Sequence, residues 1–375
     1  MRDCPERTVL IDARRTQWHP FTGIPRYVRG LLEAIDDQPL PDLEIVVLID
    51  SFFPTPSWLS QLSFRTHAVR WQGSAARQLL WDIGSLHGVF RRGRYGLYHM
   101  PWFERPPSRQ IKTVVTLHDL HMLWGKRVHK TGAERLYSHF ARRCLTHADG
   151  LLFVSQAGRT EAEVLSGGIR QPWRVTPLGW PTIHPEDSHA PPAAAVRAPK
   201  LDPPVTRVLI LGATSWRKNS ERLARELDIL SRSVRDLEVI TTGAGWSQLL
   251  ANRVWHIGYD VLDDASLVRL MRASSCLVVG SIWEGQALPV MEAIGNGLPV
   301  VCTDLPAVRE GSPPGVTYVR ESAALGAYAL AIQYSIQSRS KESLTDLATS
   351  QYLSRYTWST TAAATLDIYG ELLDT

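Results

Sequence analysis

Cysteine is scarce in this chain, with four residues, Cys4, Cys144, Cys276 and Cys302, in 375. No two lie close together, which excludes a disulfide framework, a zinc knuckle and a paired redox motif, and predicts reduced thiols in a cytoplasmic protein. Long apolar runs are missing as well. No stretch approaches the roughly 18 apolar residues of a membrane span, and Arg2, Asp3, Glu6 and Arg7 precede the first apolar run, against a secretory leader. No G-x-G-x-x-G opens either half, which argues against a dinucleotide-dependent oxidoreductase. No D-x-D follows a candidate strand, so no metal site is expected.

What is present is the composition of an ordinary folded protein, 44% hydrophobic and 21% charged. Single cores stop growing at roughly 250 to 300 residues, so a chain of this length predicts two domains. The net charge of +4 conceals an asymmetry: residues 1–180 hold 24 Lys/Arg against 16 Asp/Glu, and the remainder 17 against 21. A basic first half suits an anionic membrane face, a diphosphate-linked ligand or nucleic acid. Only Arg91, Arg92 and Arg94 form a tight basic cluster.

Strand-like and helical runs alternate, the pattern of a doubly wound α/β fold. Strands are predicted over 8–11, 43–49, 112–117 and 150–154, with helices over 75–90 and 132–147. Between them, Ile24, Tyr27, Val28, Leu31, Leu32 and Ile35 recur at helical spacing, with Pro25 suited to a first turn. Residues 181–204 turn rich in proline and alanine and read as a linker. A second alternation follows, with strands over 207–211, 237–241, 276–279 and 299–302 and a helix after Asn219. The expected domains are therefore 1–180 and 205–355, with a final helix over 356–375 crossing back to the first. Two such sheets facing each other bind ligands in a cleft at the carboxyl ends of their strands.

The most informative segment is SIWEGQALPVMEAIGNGLPVV, residues 281–301, where seven residues separate Glu284 from Glu292. If Pro289 starts a helix, Glu284 lies on the preceding loop and Glu292 in the first turn. The N–H groups of Gly285, Gln286, Ala287 and Leu288 are then available for polar contacts. A second segment, LGATSWRKNSERL, carries Arg217 and Lys218 on a loop between strand and helix, well placed for a diphosphate. In VVTLHDL, His118 and Asp119 close a buried strand, and Gly23 precedes the first helix in TGIPRYVRGLLEAI.

These segments together resemble glycosyltransferase family 4, whose signature is close to E-G-F-G-L-P-x-x-E-A-x-x-x-G-x-P-V and whose members are retaining enzymes of the GT-B fold, two Rossmann-like domains facing across a cleft. The resemblance implies that Glu284 contacts donor sugar hydroxyls and Glu292 the ribose, while Arg217 and Lys218 bind the donor's phosphates. It implies that the turn at Gly23 approaches the diphosphate, that His118 contacts the sugar, and that Asp119 orients His118. Gln286 and Ala287 replace the usual aromatic and glycine, leaving the donor sugar open, and Pro25 removes one N–H donor from the first turn. Shorter matches occur at 153–155, the Gly243-Ala244-Gly245 turn, a turn at 256–258 beside the nucleotide base, and Tyr356-Thr357-Trp358 at the start of the last helix.

The resulting expectation is a cytoplasmic, metal-independent hexosyltransferase without cofactor. It would use a nucleotide-sugar donor, GDP-mannose first among the candidates and a UDP- or dTDP-sugar otherwise. The acceptor would be a glycan or lipid-linked oligosaccharide of surface polysaccharide synthesis. Peripheral association with an anionic inner membrane face is expected from the basic first half, and nucleic acid is not expected as a partner. A non-catalytic sugar-nucleotide-binding protein is the alternative.

Overall fold

A computed structural model describes residues 7–17, 22–40, 42–71, 82, 84–103, 105, 107–124, 132–180, 205–260, 262–312, 316–337 and 351–375. The predicted linker 181–204, Cys4 and half of the helix expected over 75–90 lie outside the described residues. The chain divides into two compact units, Met1–Gly179 with Trp358–Thr375, and Trp180–Thr357.

The first unit is built on a parallel sheet of seven strands: β1 (Thr8–Asp12), β2 (Glu44–Asp50), β3 (Arg65–Val69), β4 (Leu97–Met100), β5 (Lys112–Leu117), β6 (Gly150–Phe153) and β7 (Trp173–Val175). Their spatial order is β3-β2-β1-β4-β5-β6-β7. Central strands such as β2 and β5 read as nearly continuous apolar runs because parallel sheets are covered on both faces. The helix Gly23–Asp36 buries Tyr27, Val28, Leu31, Leu32 and Ile35, with Pro25 in its first turn. Against it lies the last helix, Trp358–Leu373.

The second unit repeats the plan with β8 (Thr206–Ile210), β9 (Leu237–Thr242), β10 (His256–Tyr259), β11 (Cys276–Val279), β12 (Val300–Thr303) and β13 (Thr317–Val319), in the order β10-β9-β8-β11-β12-β13. Alternate residues feed two cores. Leu209, Ile240, Leu277, Val279 and Val300 face the helices Asp264–Ala273 and Leu288–Gly295. Val208, Ile210, Val239, Val278 and Val301 face the helices Ser220–Ser233 and Ala327–Gln337. Residues 256–258, expected as a turn, form edge strand β10 paired with β9, so backbone pairing overrides the glycine. Cys144, Cys276 and Cys302 are buried free thiols, and burial pushes Cys276 up to about 12, away from thiolate chemistry.

In each sheet the strand order reverses once, between β1 and β4 and between β8 and β11. Loops leaving adjacent strands diverge there to opposite faces, opening a crevice at the carboxyl edge where such sheets bind ligands.

The packing of the last helix against the first unit rests on two glycines. A Cβ at Gly30 would sit 2.3 Å from the Trp358 indole, and one at Gly179 2.4 Å from the same residue. Helix propensity alone favours Gly30→Ala by up to about 1 kcal/mol, whereas forcing a methyl against an indole costs about 1 to 3 kcal/mol. Gly30→Ala should therefore lower the melting temperature. A rise would show that Trp358 yields freely.

Candidate functional site

At the second unit's crevice, the loop after β8 is shaped by close backbone contacts. Gly212 leaves the strand at φ 95°, and Trp246 donates its indole N–H to the Gly212 carbonyl at 2.8 Å. The loop after β9 packs on this one so tightly that a Cβ at Gly243 would lie 2.4 Å from the Ala213 nitrogen. Side chains then set the turn: Ser220 Oγ accepts from the Ser215 N–H at 3.0 Å, and Ser215 Oγ from the Lys218 N–H at 3.1 Å. Asn219, left-handed at φ 55°, hands the chain to helix Ser220–Ser233. The loop after β11 is tied to it, since the Ile282 N–H donates to the Arg217 carbonyl at 2.9 Å and the Arg217 guanidinium to the Trp283 carbonyl at 3.0 Å. Trp216 and Trp283 meet edge to face at 5.7 Å.

Two cations converge on one carboxylate here. Lys218 Nζ lies 2.8 Å from one Glu284 oxygen and an Arg217 nitrogen 3.5 Å from the other. Glu284 is nearly buried, its side chain 12% exposed. Burial works to raise its pKa, but Lys218 and Arg217 outweigh that and hold it below the ordinary carboxylate value. The cluster carries net charge +1, so it can accept an anion while keeping an ionised hydrogen-bond acceptor beside it. No group of three or more His, Cys, Asp or Glu side chains placed to hold a metal ion occurs among the described residues.

Beyond Glu284 the segment runs into helix Leu288–Gly295, with Pro289 in its first turn. The helix starts at Leu288, so Glu292 sits in the second turn rather than the first, buried at 1% exposure. The Leu288 N–H is also not available as expected, because it donates to the Gln286 carbonyl at 2.8 Å in a tight turn. Gln286 is buried and donates its amide to Met291 Sδ at 3.2 Å, with Gly285 and Ala287 buried beside it. Gln286 therefore serves the helix start as a packed side chain, which its replacement of an aromatic did not reveal.

In the first unit, His118 follows β5 at the carboxyl edge. Its Nε2 donates to the Pro101 carbonyl at 3.1 Å, which leaves Nδ1 as the bare, accepting nitrogen. The Tyr27 ring meets the imidazole edge-on at 4.8 Å. Behind Tyr27 runs a buried chain: Tyr27 Oη to Thr116 Oγ1 at 2.9 Å, Thr116 Oγ1 to His99 Nε2 at 2.7 Å, and His99 Nδ1 to Tyr369 Oη at 2.5 Å. His118 is thus braced from the last helix through the core. Asp119 hydrogen-bonds His121 Nδ1 and acts on His118 through its charge, while Pro101 and Tyr27 hold the ring. Gly23 begins helix Gly23–Asp36, and among the described residues, its chain neighbours and its own helix backbone aside, no atom lies within 4 Å of a Cβ built on it.

Sequence reasoning missed the charge cluster at the first unit's own switch point. Arg14 Nη2 lies 2.6 Å from Asp12 and Nη1 2.8 Å from Asp82, while Tyr98 donates to Asp12 at 2.5 Å. Arg14, Asp82 and Tyr98 are buried and Asp12 nearly so, and long-range contacts, 68 and 86 residues apart in sequence for Asp82 and Tyr98, bring them together.

Residues 205–337 match the family model of glycosyl transferases group 1. The O-antigen chain mannosyltransferase B of Escherichia coli is 26% identical over 294 residues, 73% of this chain and 74% of that protein. Among solved structures, sucrose-phosphate synthase of Thermosynechococcus elongatus aligns with a TM-score of 0.71 at 16% identity, covering 98% of this chain and 100% of that one. WaaG, a glycosyltransferase of lipopolysaccharide biosynthesis, aligns at 0.68 and 16%, covering 96% and 99%. Anabaena HepE, solved with UDP and glucose, aligns at 0.67 and 17%, covering 98% and 100%. The two parallel-sheet domains are those of the GT-B fold, and the chain is a transferase.

Two buried imidazoles of the first unit, His118 and His99, are held well below the ordinary histidine value. Burial lowers His118 to about 4 and His99 to about 3, against 6.5 in an open chain. Both therefore stay neutral in the native state, and their contribution to stability is complete above about 6.5 and lost as the pH falls through 6.5 toward those values. Their imidazole proton resonances should not shift between pH 8 and pH 5, and unfolding free energy should fall over the same acid limb. A midpoint near 6.5 for either would contradict this placement.

Proposed function

We propose that this glycosyltransferase is a retaining enzyme of glycosyltransferase family 4 that moves mannose from GDP-mannose to a glycan or lipid-linked oligosaccharide of surface polysaccharide. The observation that carries the reading is the convergence of Arg217 and Lys218 on Glu284 at a switch-point crevice, with Glu284 inside the segment that resembles the family signature. The mannose assignment leans on the Escherichia coli relative, an O-antigen chain mannosyltransferase. HepE, solved with UDP-glucose, makes a UDP-hexose the second donor to test.

In this reading the bond between the anomeric carbon and the diphosphate oxygen breaks, and an acceptor hydroxyl oxygen bonds to that carbon on the same face. Its proton passes to the departing phosphate. Negative charge grows on the leaving diphosphate, and Lys218 and Arg217 are fixed in advance to receive it. Glu284 accepts hydrogen bonds from sugar hydroxyls, as does the bare Nδ1 of His118. Glu292 holds the ribose, and the turn at Gly23 approaches the phosphates. The two cations supply the positive charge that a metal would bring elsewhere, so turnover should survive EDTA. Loss of activity restored by magnesium or manganese would overturn this point. The enzyme is further proposed to work at the cytoplasmic membrane face.

A thermal-shift screen against GDP-, UDP- and dTDP-sugars identifies the donor, since a ligand of the native state raises its stability by mass action. Two substitutions then separate roles. Ribose hydroxyls are the same in ground and transition states, so Glu292→Gln should mainly raise KM. Lys218→Ala should lower kcat by about 10²- to 10³-fold, the loss typical of a preorganised charge-stabilising group. A wild-type kcat in folded Lys218→Ala would refute the leaving-group assignment.

A further inference from the structure

At the opposite, amino-terminal edge of the first sheet lies a hollow of about 440 Å³ that the transferase chemistry does not use. It forms where the segment before β5 and the end of helix Gly132–His147 part around the start of β5, and Arg109, Lys112, Arg143 and His147 line it. One carboxylate, Asp149, shares the wall, and it is already engaged by the Thr113 N–H at 2.7 Å. Lys112 spends two of its three donors on the Leu372 carbonyl, at 2.7 Å, and Thr375 Oγ1, at 3.3 Å. Arg109 and Arg143 have no ion pair or side-chain hydrogen bond among the described residues. Cations at a protein surface usually point apart into water. Here three permanent charges and a histidine share one concavity against a single carboxylate.

We infer that this hollow binds the phosphate group of a phosphorylated ligand. Two free guanidiniums supply forked donors suited to phosphate oxygens, with Lys112 as a point charge between them. The hollow leaves room for an organic group beside the phosphate. Lys112 begins β5 and His118 follows its end. A six-residue strand is about 20 Å long, so the site is separate from the crevice edge. A soluble phosphate ester and a lipid headgroup share this chemistry.

The test uses the full-length protein and the double substitution Arg109→Ser with Arg143→Ser, leaving Lys112 to hold the last helix. Glycerol 3-phosphate is titrated by calorimetry, and sedimentation is measured with vesicles of one part phosphatidylglycerol to three of phosphatidylcholine. Binding of either probe that weakens about tenfold or more in the double variant, with donor turnover unchanged, supports the site. Glycerol 3-phosphate binding without vesicle binding names a soluble ligand, and the reverse names a headgroup. The inference is overturned if neither probe binds the wild type, or if binding is the same in the double variant. It is equally overturned if only substitution of Arg91, Arg92 and Arg94 abolishes binding.

Discussion

An ionised carboxylate cannot be taken out of water without partners, and the second unit is organised around supplying them to Glu284. Lys218 and Arg217 reach it from a different loop, separated by 66 residues of sequence, so their pairing joins the ends of β8 and β11 across the switch point. Every local feature around it serves that meeting. Gly212 and Asn219 take left-handed conformations to turn the loop, Ser215 and Ser220 satisfy its N–H groups, and Trp246 pins its base. A net positive cluster results, fixed before any anion arrives, which is the condition for charge stabilisation without reorganisation.

The first unit solves the same topological problem differently. Its switch point, between β1 and β4, is filled by Arg14 locked between Asp12 and Asp82, with the guanidinium 4.3 Å from the Trp71 ring. Arg14 is there committed to two carboxylates, and removing one partner of such a buried set is costly. The open chemistry moves one strand over, to His118 after β5, where burial keeps the ring neutral and Pro101 fixes its tautomer. A neutral acceptor of fixed direction recognises a hydroxyl, whereas a protonated imidazole would be a second cation.

Much of the fold could be read before the structure was known, because buried parallel strands and amphipathic helices write their periods plainly. Strand β5 and helix Gly132–His147 have the bounds that the sequence predicts. The strands that escaped notice are short or mixed in polarity. β3 is a largely exposed edge strand, and β4 carries His99, whose polarity is absorbed by Thr116 and Tyr369. β10 contains Gly258 and looks like a turn until β9 pairs with it. At the site, Glu284 was legible from the segment 281–301 and Arg217 and Lys218 from the loop before the helix at Ser220, and the structure brings the three together. The Arg14 cluster and the brace behind His118 were not, since each depends on residues far apart in sequence that only the folded sheet makes neighbours.

The central claim is that the Glu284 cluster receives the diphosphate of a nucleotide sugar, and comparative calorimetry tests it most directly. Nucleoside diphosphate and monophosphate would be titrated into the wild type and into Lys218→Met, which keeps the bulk and removes the charge. The account predicts a clear preference of the wild type for the diphosphate that collapses in the variant, with monophosphate affinity little changed. An undiminished preference in the folded variant would contradict it.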